Sequence, residues 1–538
     1  MAPRDLSGEA LREALRSRGY QPARAELPLL LEQLKIADRD EAELIERALE
    51  RLGLVASEEA RARFASARPP ERGRLCRLIG RLGARDPEAR AWLLGALTDE
   101  DPKTRRNAMI ALGKLGGEGV EAALLARWPD EPVENRRSLA AALGKLGGPD
   151  ALALLSTVET DDPELARLSG EARLKLTRTL GRAQSGAIDP ARPAPRALEA
   201  LCHCRAGLSE LAASELAAFS PRILNEETVR VTLTGPLEAL YRARTILRFG
   251  FPLPTGARGA SPSDPGEAVR FALSSPEALA ILRAFTSGPL RYRIEWASGG
   301  HRRGLTFRVA EKVARARPEL VNDPTESLWE VVVTEPPGAP IAVELWPRGL
   351  ADPRFTYRRV HLPASSHPTL AAALARVGGA RPDDVVWDPF AGAGTELVER
   401  ARLGPYRRLI GTDLDPAALE SARENLAAAS LSDVTLAVAD ARTFRPPEPP
   451  TLILTNPPMG RRVLDSTLTG PLYDAFLAHA AKTLAPSGRL VWISPRWEDT
   501  RARASAVGLR ATFRQRVDMG GFFAELQAFS AGAGRRPA

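Results

Sequence analysis

The chain has 538 residues, 44% hydrophobic and 5% aromatic, with a formal charge of +8; it is globular, too long for one core, and biased toward a polyanionic partner. Three cysteines exclude a disulfide framework, and no apolar run approaches the roughly 18 residues of a membrane span, so a soluble, cytoplasmic protein is expected. Arginine supplies 68 of the 75 basic residues, a bias that a GC-rich genome also produces.

Residues 1–75 are helical by pattern. After them Gly80-Arg81-Leu82-Gly83, two copies of Ala-Leu-Gly-Lys-Leu-Gly-Gly (111–117 and 142–148) and Thr179-Leu180-Gly181-Arg182 recur at intervals of 33, 31 and 37 residues. Periods of that size mean stacked helical pairs. Asp86-Pro87, Asp101-Pro102 and Asp162-Pro163 read as helix starts, Asp as cap and Pro in the first turn. The stretch 183–196, rich in Pro, Ala and Gly, reads as a linker. Cys202-His203-Cys204 lacks the spacing of a zinc knuckle and no second ligand pair follows, so no metal is expected. Beyond it the pattern becomes α+β: helix over 208–219, strand over 229–233, helix over 236–247, then strands at 291–296, 329–334 and 341–346.

From residue 385 short apolar runs (385–387, 409–412, 434–438, 452–455, 490–494) alternate with helical stretches, which predicts a doubly wound parallel sheet. Residues 511–518 and 522–529 read as a hairpin that inserts an antiparallel strand. Asp388-Pro389-Phe390-Ala391-Gly392-Ala393-Gly394-Thr395 follows the first run as a glycine-rich turn into a helix, where backbone can approach a ligand. Asp413 and Asp440 fall at the ends of the second and third runs; Asp413 is placed to accept ribose hydroxyls, and Asp415-Pro416 reads as a helix cap. Asn456-Pro457-Pro458-Met459 follows the fourth run. Two prolines there lock the backbone and leave a carboxamide and carbonyls as acceptors converging on an exocyclic amine.

The repeats resemble HEAT-like repeats. Cys204 to Leu211, Arg291 to Trp296, Arg302-Arg303-Gly304 and Asn322-Asp323-Pro324 resemble a THUMP module with its ferredoxin-like partner, and Arg358-Arg359, Pro363 and His367 to Ala373 resemble the segment joining such a module to a catalytic domain. The chain is thus similar to the THUMP-containing class I RNA methyltransferases, many of which make N2-methylguanosine in tRNA or ribosomal RNA. The resemblance implies a multidomain fold: an N-terminal α-solenoid over 1–182, the linker 183–196, an α+β THUMP-like module over 197–350 and an α/β Rossmann-like methyltransferase domain over 351–532. It implies S-adenosyl-L-methionine held by Asp388, Phe390, Gly392, Gly394, Thr395, Asp413, Leu414, Asp440, Ala441 and Asn456, and catalysis by Asn456, Pro457, Pro458 and Met459. The family's fourth motif residue is aromatic; Met459 departs from it, and a thioether can also lie on a flipped base. The implied partner is RNA, through a basic strip (Arg348, Arg354, Arg358, Arg359, Arg376) interleaved with Trp346, Phe355 and Tyr357, with a phosphate clasp at Gly460-Arg461-Arg462 and a protein partner for the repeats. DNA adenine-N6 methylation, protein glutamine methylation and a non-catalytic scaffold are the alternatives.

Overall fold

The computed structural model describes residues 8–17, 20–181, 185–256, 263–300, 302–362, 365–459 and 466–531. These divide into two compact units, Met1–Ser185 with Arg303–Glu326, and Gly186–Arg302 with Ser327–Ala538. A cut at the linker therefore does not separate the units in sequence.

In the first unit the helices Pro69–Leu82 (α1), Pro102–Leu115 (α2), Val133–Leu146 (α3) and Pro163–Gly181 (α4) pack in succession. The repeated glycines explain how closely. A Cβ on Gly80 would lie 2.4 Å from that of Ala111, one on Gly113 2.6 Å from Ala142, and one on Gly144 2.6 Å from Ala172. Each helix thus offers a glycine to the alanine of the next, and the Ala-Leu-Gly repeat is a row of contacts as well as a sequence period. Asp101 and Asp162 cap α2 and α4, accepting from Thr104 N at 2.8 Å and Leu165 N at 2.6 Å. Asp86-Pro87 differs from expectation: the next helix starts at Ala89. Asp86 is buried; Oδ1 accepts from Glu88 N at 2.9 Å just ahead of that helix, and Oδ2 accepts from Ser57 Oγ at 2.6 Å on a neighbouring helix. The helix Arg303–Ala316 (α5) also belongs to this unit.

The second unit holds two sheets. In the first, Leu198–Cys204 (β1), Arg222–Asn225 (β2), Thr228–Leu233 (β3), Ile246–Leu253 (β4), Leu290–Trp296 (β5), Trp329–Thr334 (β6) and Ala342–Pro347 (β7) lie in the order β2-β3-β1-β4-β7-β6-β5, with β5 and β6 parallel. The helix expected over 236–247 is only a 3-10 turn, Leu237–Arg242, and the chain enters β4 at Ile246. Leu247 and Arg248 stand outward while Ile246 and Phe249 are buried, so tertiary packing overrides a helix-compatible pattern. Residues 187–188 of the expected linker also form a ladder, Ala187–Ile188 against Thr286–Ser287, because Ile188 is buried there.

The second sheet contains Val385–Asp388 (β8), Arg408–Asp413 (β9), Val434–Val438 (β10), Leu452–Thr455 (β11), Arg489–Ser494 (β12), Leu509–Asp518 (β13) and Phe523–Ala531 (β14), ordered β10-β9-β8-β11-β12-β14-β13. All neighbours through β12 are parallel, while β14 is antiparallel to both β12 and β13. Strand order reverses between β8 and β11, which opens a crevice at their carboxyl ends. The helix Pro368–Gly378 (α6) precedes β8, Thr395–Arg402 (α7) follows it, and Pro416–Ala428 (α8) follows β9.

The glycine row yields a stability test. Gly113→Val should destabilise the protein by about 1–3 kcal/mol through overpacking against Ala142, whereas Gly95→Ala, a helical position with nothing within 4 Å, should stabilise it by up to about 1 kcal/mol. Thermal unfolding of the two variants should move in opposite directions.

Candidate active site

The turn after β8 is shaped by two glycines in the left-handed region, Gly392 (φ +48°) and Gly394 (φ +75°). Gly394 is constrained twice: it precedes α7, and a Cβ there would press on Ala422 at 3.3 Å. Gly392 faces open space, with only Phe390 O as near as 4.0 Å. Its N–H donates to Asp413 Oδ2 at 2.9 Å, and Asp415 N donates to Asp413 Oδ1 at 3.0 Å. Asp413 thus ties the glycine turn to the end of β9, and each of its oxygens retains a second lone pair. Asp415 is separate, accepting from Ala417 N at 2.9 Å as the cap of α8. Beside Asp413, Leu414 is 65% exposed and Val438, at the end of β10, is 60% exposed; both offer uncovered apolar surface. Asp440 is engaged by its own neighbour: Arg442 donates through Nη2 at 2.6 Å and Nε at 2.9 Å, and the ion pair holds the carboxyl below its usual range. Ala441 is buried.

At the crevice itself, Asp388 is fully buried and Oδ1 accepts from Thr455 Oγ1 at 2.6 Å and Phe390 N at 3.2 Å. Its Oδ2 has no hydrogen-bond partner, nor have Thr395 Oγ1 and Asn456 Oδ1. Asn456 Nδ2 donates to Ser366 Oγ at 2.7 Å, and Ser366 Oγ donates to Glu396 Oε1. The Pro458 carbonyl accepts from the buried Tyr473 hydroxyl at 2.8 Å, which fixes the motif's far end and leaves the oxygen a second lone pair. Pro457 is buried and Met459 half-buried. Phe390 packs edge-on against Phe476, ring centroids 5.4 Å apart, beneath the turn. Gly460, Arg461 and Arg462, like Pro363, lie outside the described residues.

The electrostatics of the crevice are unbalanced. Burial pushes the Glu396 carboxyl up to about 7, opposed by the Ser366 hydroxyl and by Arg358. Burial and then Glu396 raise Asp388 well above the carboxylate range. His367, one residue from Ser366, is driven down to about 4 by burial and by Arg205, Arg358 and Arg354, so its imidazole is neutral at pH 7. Ser366, Glu396 and Tyr473 were not readable as site residues, since nothing local distinguishes them from other polar side chains in helices and loops.

The basic strip is divided: Arg354 is buried, Arg358 and Arg376 are half-buried, and Arg348 and Arg359 are exposed. Arg354 is buried, ion-paired to Asp352 at 2.7 Å and donating to the Ala243 and Ile246 carbonyls. Arg376 meets Glu215 at 3.4 Å, and the buried Tyr357 hydroxyl donates to Glu399. The segment connects the two sheets, and Arg354 and Arg376 are spent on that junction. Arg359 is exposed, and Arg358 and Arg205 each keep a buried Nε without a partner. Cys202 and Cys204 are buried free thiols, and among the described residues no cluster of three or more His, Cys, Asp or Glu could hold a metal. No described helix is long and apolar enough to cross a membrane.

Residues 356–525 match the UPF0020 family, described as an RMKL-like methyltransferase domain, and residues 62–143 match HEAT repeats. A tRNA (guanine(10)-N2)-dimethyltransferase from Methanothermobacter thermautotrophicus is 32% identical over 161 residues, 29% of this chain and 46% of that protein. A tRNA (guanine(6)-N2)-methyltransferase from Thermus thermophilus is 36% identical over 169 residues, 31% of this chain and 50% of that protein. The chain spans about half the length of the curated relatives it matches. The crystal structure of a possible methylase from Clostridium difficile 630 superposes with a TM-score of 0.50 at 18% identity, covering 63% of this chain and all of that one, which shows the shared fold. The cofactor of this domain class is S-adenosylmethionine. The residues present fit it: unpartnered buried acceptors and two uncompensated carboxyls suit a ligand that carries a sulfonium and an ammonium group.

Cofactor binding should therefore release protons. A cation beside Asp388 and Glu396 favours their ionised forms, so affinity rises as pH increases through about 7 and levels off once both are ionised. Calorimetry near that pH in buffers of different ionisation enthalpy should detect the release, smaller for S-adenosylhomocysteine, which lacks the sulfonium charge; proton uptake would contradict the assignment. Asp413→Ala should weaken binding about tenfold or more, and Asp440→Ala less, because Arg442 already occupies that carboxylate.

Proposed function

We propose that this protein transfers the methyl group of S-adenosylmethionine to the exocyclic N2 of a guanine in RNA, with tRNA the first candidate and ribosomal RNA the second. The observation that carries the reading is the unpartnered Asn456 Oδ1, held at the carboxyl end of β11 beside the uncompensated Asp388 and Glu396. S-adenosylmethionine, when bound, supplies the methyl group and a sulfonium leaving group. Asn456 Oδ1 and the Pro457 carbonyl accept the two N–H groups of the amine, which aims the nitrogen lone pair out of the base plane. Such positioning can account for several kcal/mol of the barrier. No strong base is needed before transfer, because the amine loses its proton after it becomes cationic. Met459 lies at the edge of the same site and covers the inserted base; base flipping brings the amine within reach.

The matched relatives, all named as RNA guanine-N2 methyltransferases, support the choice of guanine N2 over adenine N6. The first sheet of the second unit is the proposed THUMP-like RNA grip, and Arg205 together with Arg358 and Arg359 of the segment joining the two sheets are its proposed phosphate contacts. The helical repeats are proposed to dock a protein partner, and the buried free cysteines agree with a cytoplasmic setting.

The test is a transfer assay with the full-length chain, labelled cofactor and separate RNA, DNA and protein substrates, followed by nucleoside analysis. N2-methylguanosine is expected from RNA. Asn456→Ala should lower transfer about 100-fold or more while leaving cofactor affinity nearly unchanged. Label appearing only in DNA or in a protein glutamine would replace this reading, and no label despite cofactor and RNA binding would favour a scaffold. Met459→Phe should retain or raise turnover, since stacking of a base on an aromatic ring is worth about 1–3 kcal/mol.

A further inference from the structure

We propose that Glu396 decides which way the Asn456 carboxamide faces, acting through the Ser366 hydroxyl, so that the amide oxygen and not its NH2 group meets the acceptor amine. This inference rests on the functional reading above, and names a positioning residue for it.

A carboxamide has two ends of nearly the same shape, one accepting and one donating. Only the oxygen can hold an N–H of the target amine; a flipped Asn456 would oppose donor to donor. Nothing in the Asn-Pro-Pro turn itself forbids the flip. The hydrogen-bond chain behind it does. A carboxylate only accepts, so the Ser366 hydroxyl spends its single proton on Glu396 Oε1. Ser366 Oγ can then only accept, and its partner must donate, which is what Asn456 Nδ2 does at 2.7 Å. Oδ1 is left facing the crevice without a partner. The direction of each hydrogen bond follows from the charge on Glu396.

Glu396 is an expensive residue for this place if its role were packing. It is buried, and among the described residues it meets no Lys or Arg closely enough for an ion pair. The groups facing it are the Asp388 carboxyl from β8, Glu399 from its own helix, and Arg358 and Tyr357 from the segment before α6. The Tyr357 hydroxyl is committed to Glu399, and His367 is neutral. Glutamine would match its shape without the charge, but glutamine can donate as well as accept and would no longer fix the direction. Protonation has the same effect: a Glu396 O–H can donate to Ser366, Ser366 to Asn456 Oδ1, and the carboxamide can turn its NH2 group toward the crevice. Because burial places the Glu396 carboxyl at about 7, this reversal falls in an accessible range. No covalent bond is made or broken in it.

The experiment uses the full-length chain labelled with 15N-asparagine. There are six asparagines, and Asn456→Asp identifies the relevant carboxamide signal. In the wild type that signal should shift in a single step near pH 7, and the step should be absent in Glu396→Gln and in Ser366→Ala. In transfer assays both variants should lose about tenfold or more in kcat; cofactor Kd should stay nearly unchanged in Ser366→Ala and weaken in Glu396→Gln, which also removes a carboxylate from the cofactor site, and the fall in wild-type kcat below pH 7 should flatten in Ser366→Ala. A carboxamide signal without a pH step, or a step that persists in either variant, overturns the proposal. Should one variant not fold, the other carries the test. A Glu396-dependent step in a protein that methylates no RNA would leave the orientation device standing and refute the functional reading instead.

Discussion

A buried carboxylate must be paired, hydrogen-bonded or protonated, and that constraint organises the catalytic half of this molecule. The two ends of β8 satisfy it in opposite ways. Just before the strand, Asp384 is fully buried but meets Arg400 at 2.7 Å and Arg489 at 2.9 Å, which hold its carboxyl well below the usual range. At the other end Asp388 and Glu396 are just as buried and Glu396 raises the Asp388 carboxyl further, with neither held in an ion pair among the described residues and only Arg358 opposing Glu396 from a distance. The first arrangement is complete by itself. The second leaves burial uncompensated, which marks the strand's carboxyl end as the candidate site and its amino end as a joint.

Helix α7 carries this division along its length. Glu396 turns toward the crevice; Glu399, one turn on, is buried in a bidentate ion pair with Arg244 at 2.6 and 2.8 Å and accepts from Tyr357 as well; Arg400 reaches Asp384. The same helix thus joins the catalytic sheet to the preceding module while shaping the pocket. A second seam reinforces the joint, where Asp518 N donates to Ala206 O at 3.0 Å and Gly207 sits so close to Arg516 O that any side chain would collide.

Arginine is the connecting material throughout. Arg354, Arg244, Arg376, Arg400 and Arg489 all end on carboxylates or carbonyls inside the second unit. A planar guanidinium can satisfy several acceptors at once and tolerates burial better than an ammonium group. The number of arginines consequently overstates the cationic surface that is exposed.

What the sequence by itself determined was whatever depends on local order: the solenoid period, since a glycine must recur wherever an alanine of the next helix approaches; the alternation of strand and helix; and the Asp388 and Asn456 motifs, whose turns need glycine and proline at fixed positions. The asparagine turn and the glycine turn were legible as one site because parallel strands deliver their carboxyl ends to one edge. Ser366 and Glu396 were not, for they are 30 residues apart in the chain and act only by a hydrogen bond that the fold creates. The same holds for Arg354, which packing encloses while Arg348 and Arg359 of the same strip stay exposed, and for residues 303–326, which fall between strands of the second unit in sequence yet belong with the helical unit. Periodicity and turn chemistry are properties of neighbours in sequence; the burial of a charge, and the partner that compensates it or fails to, are properties of neighbours in space.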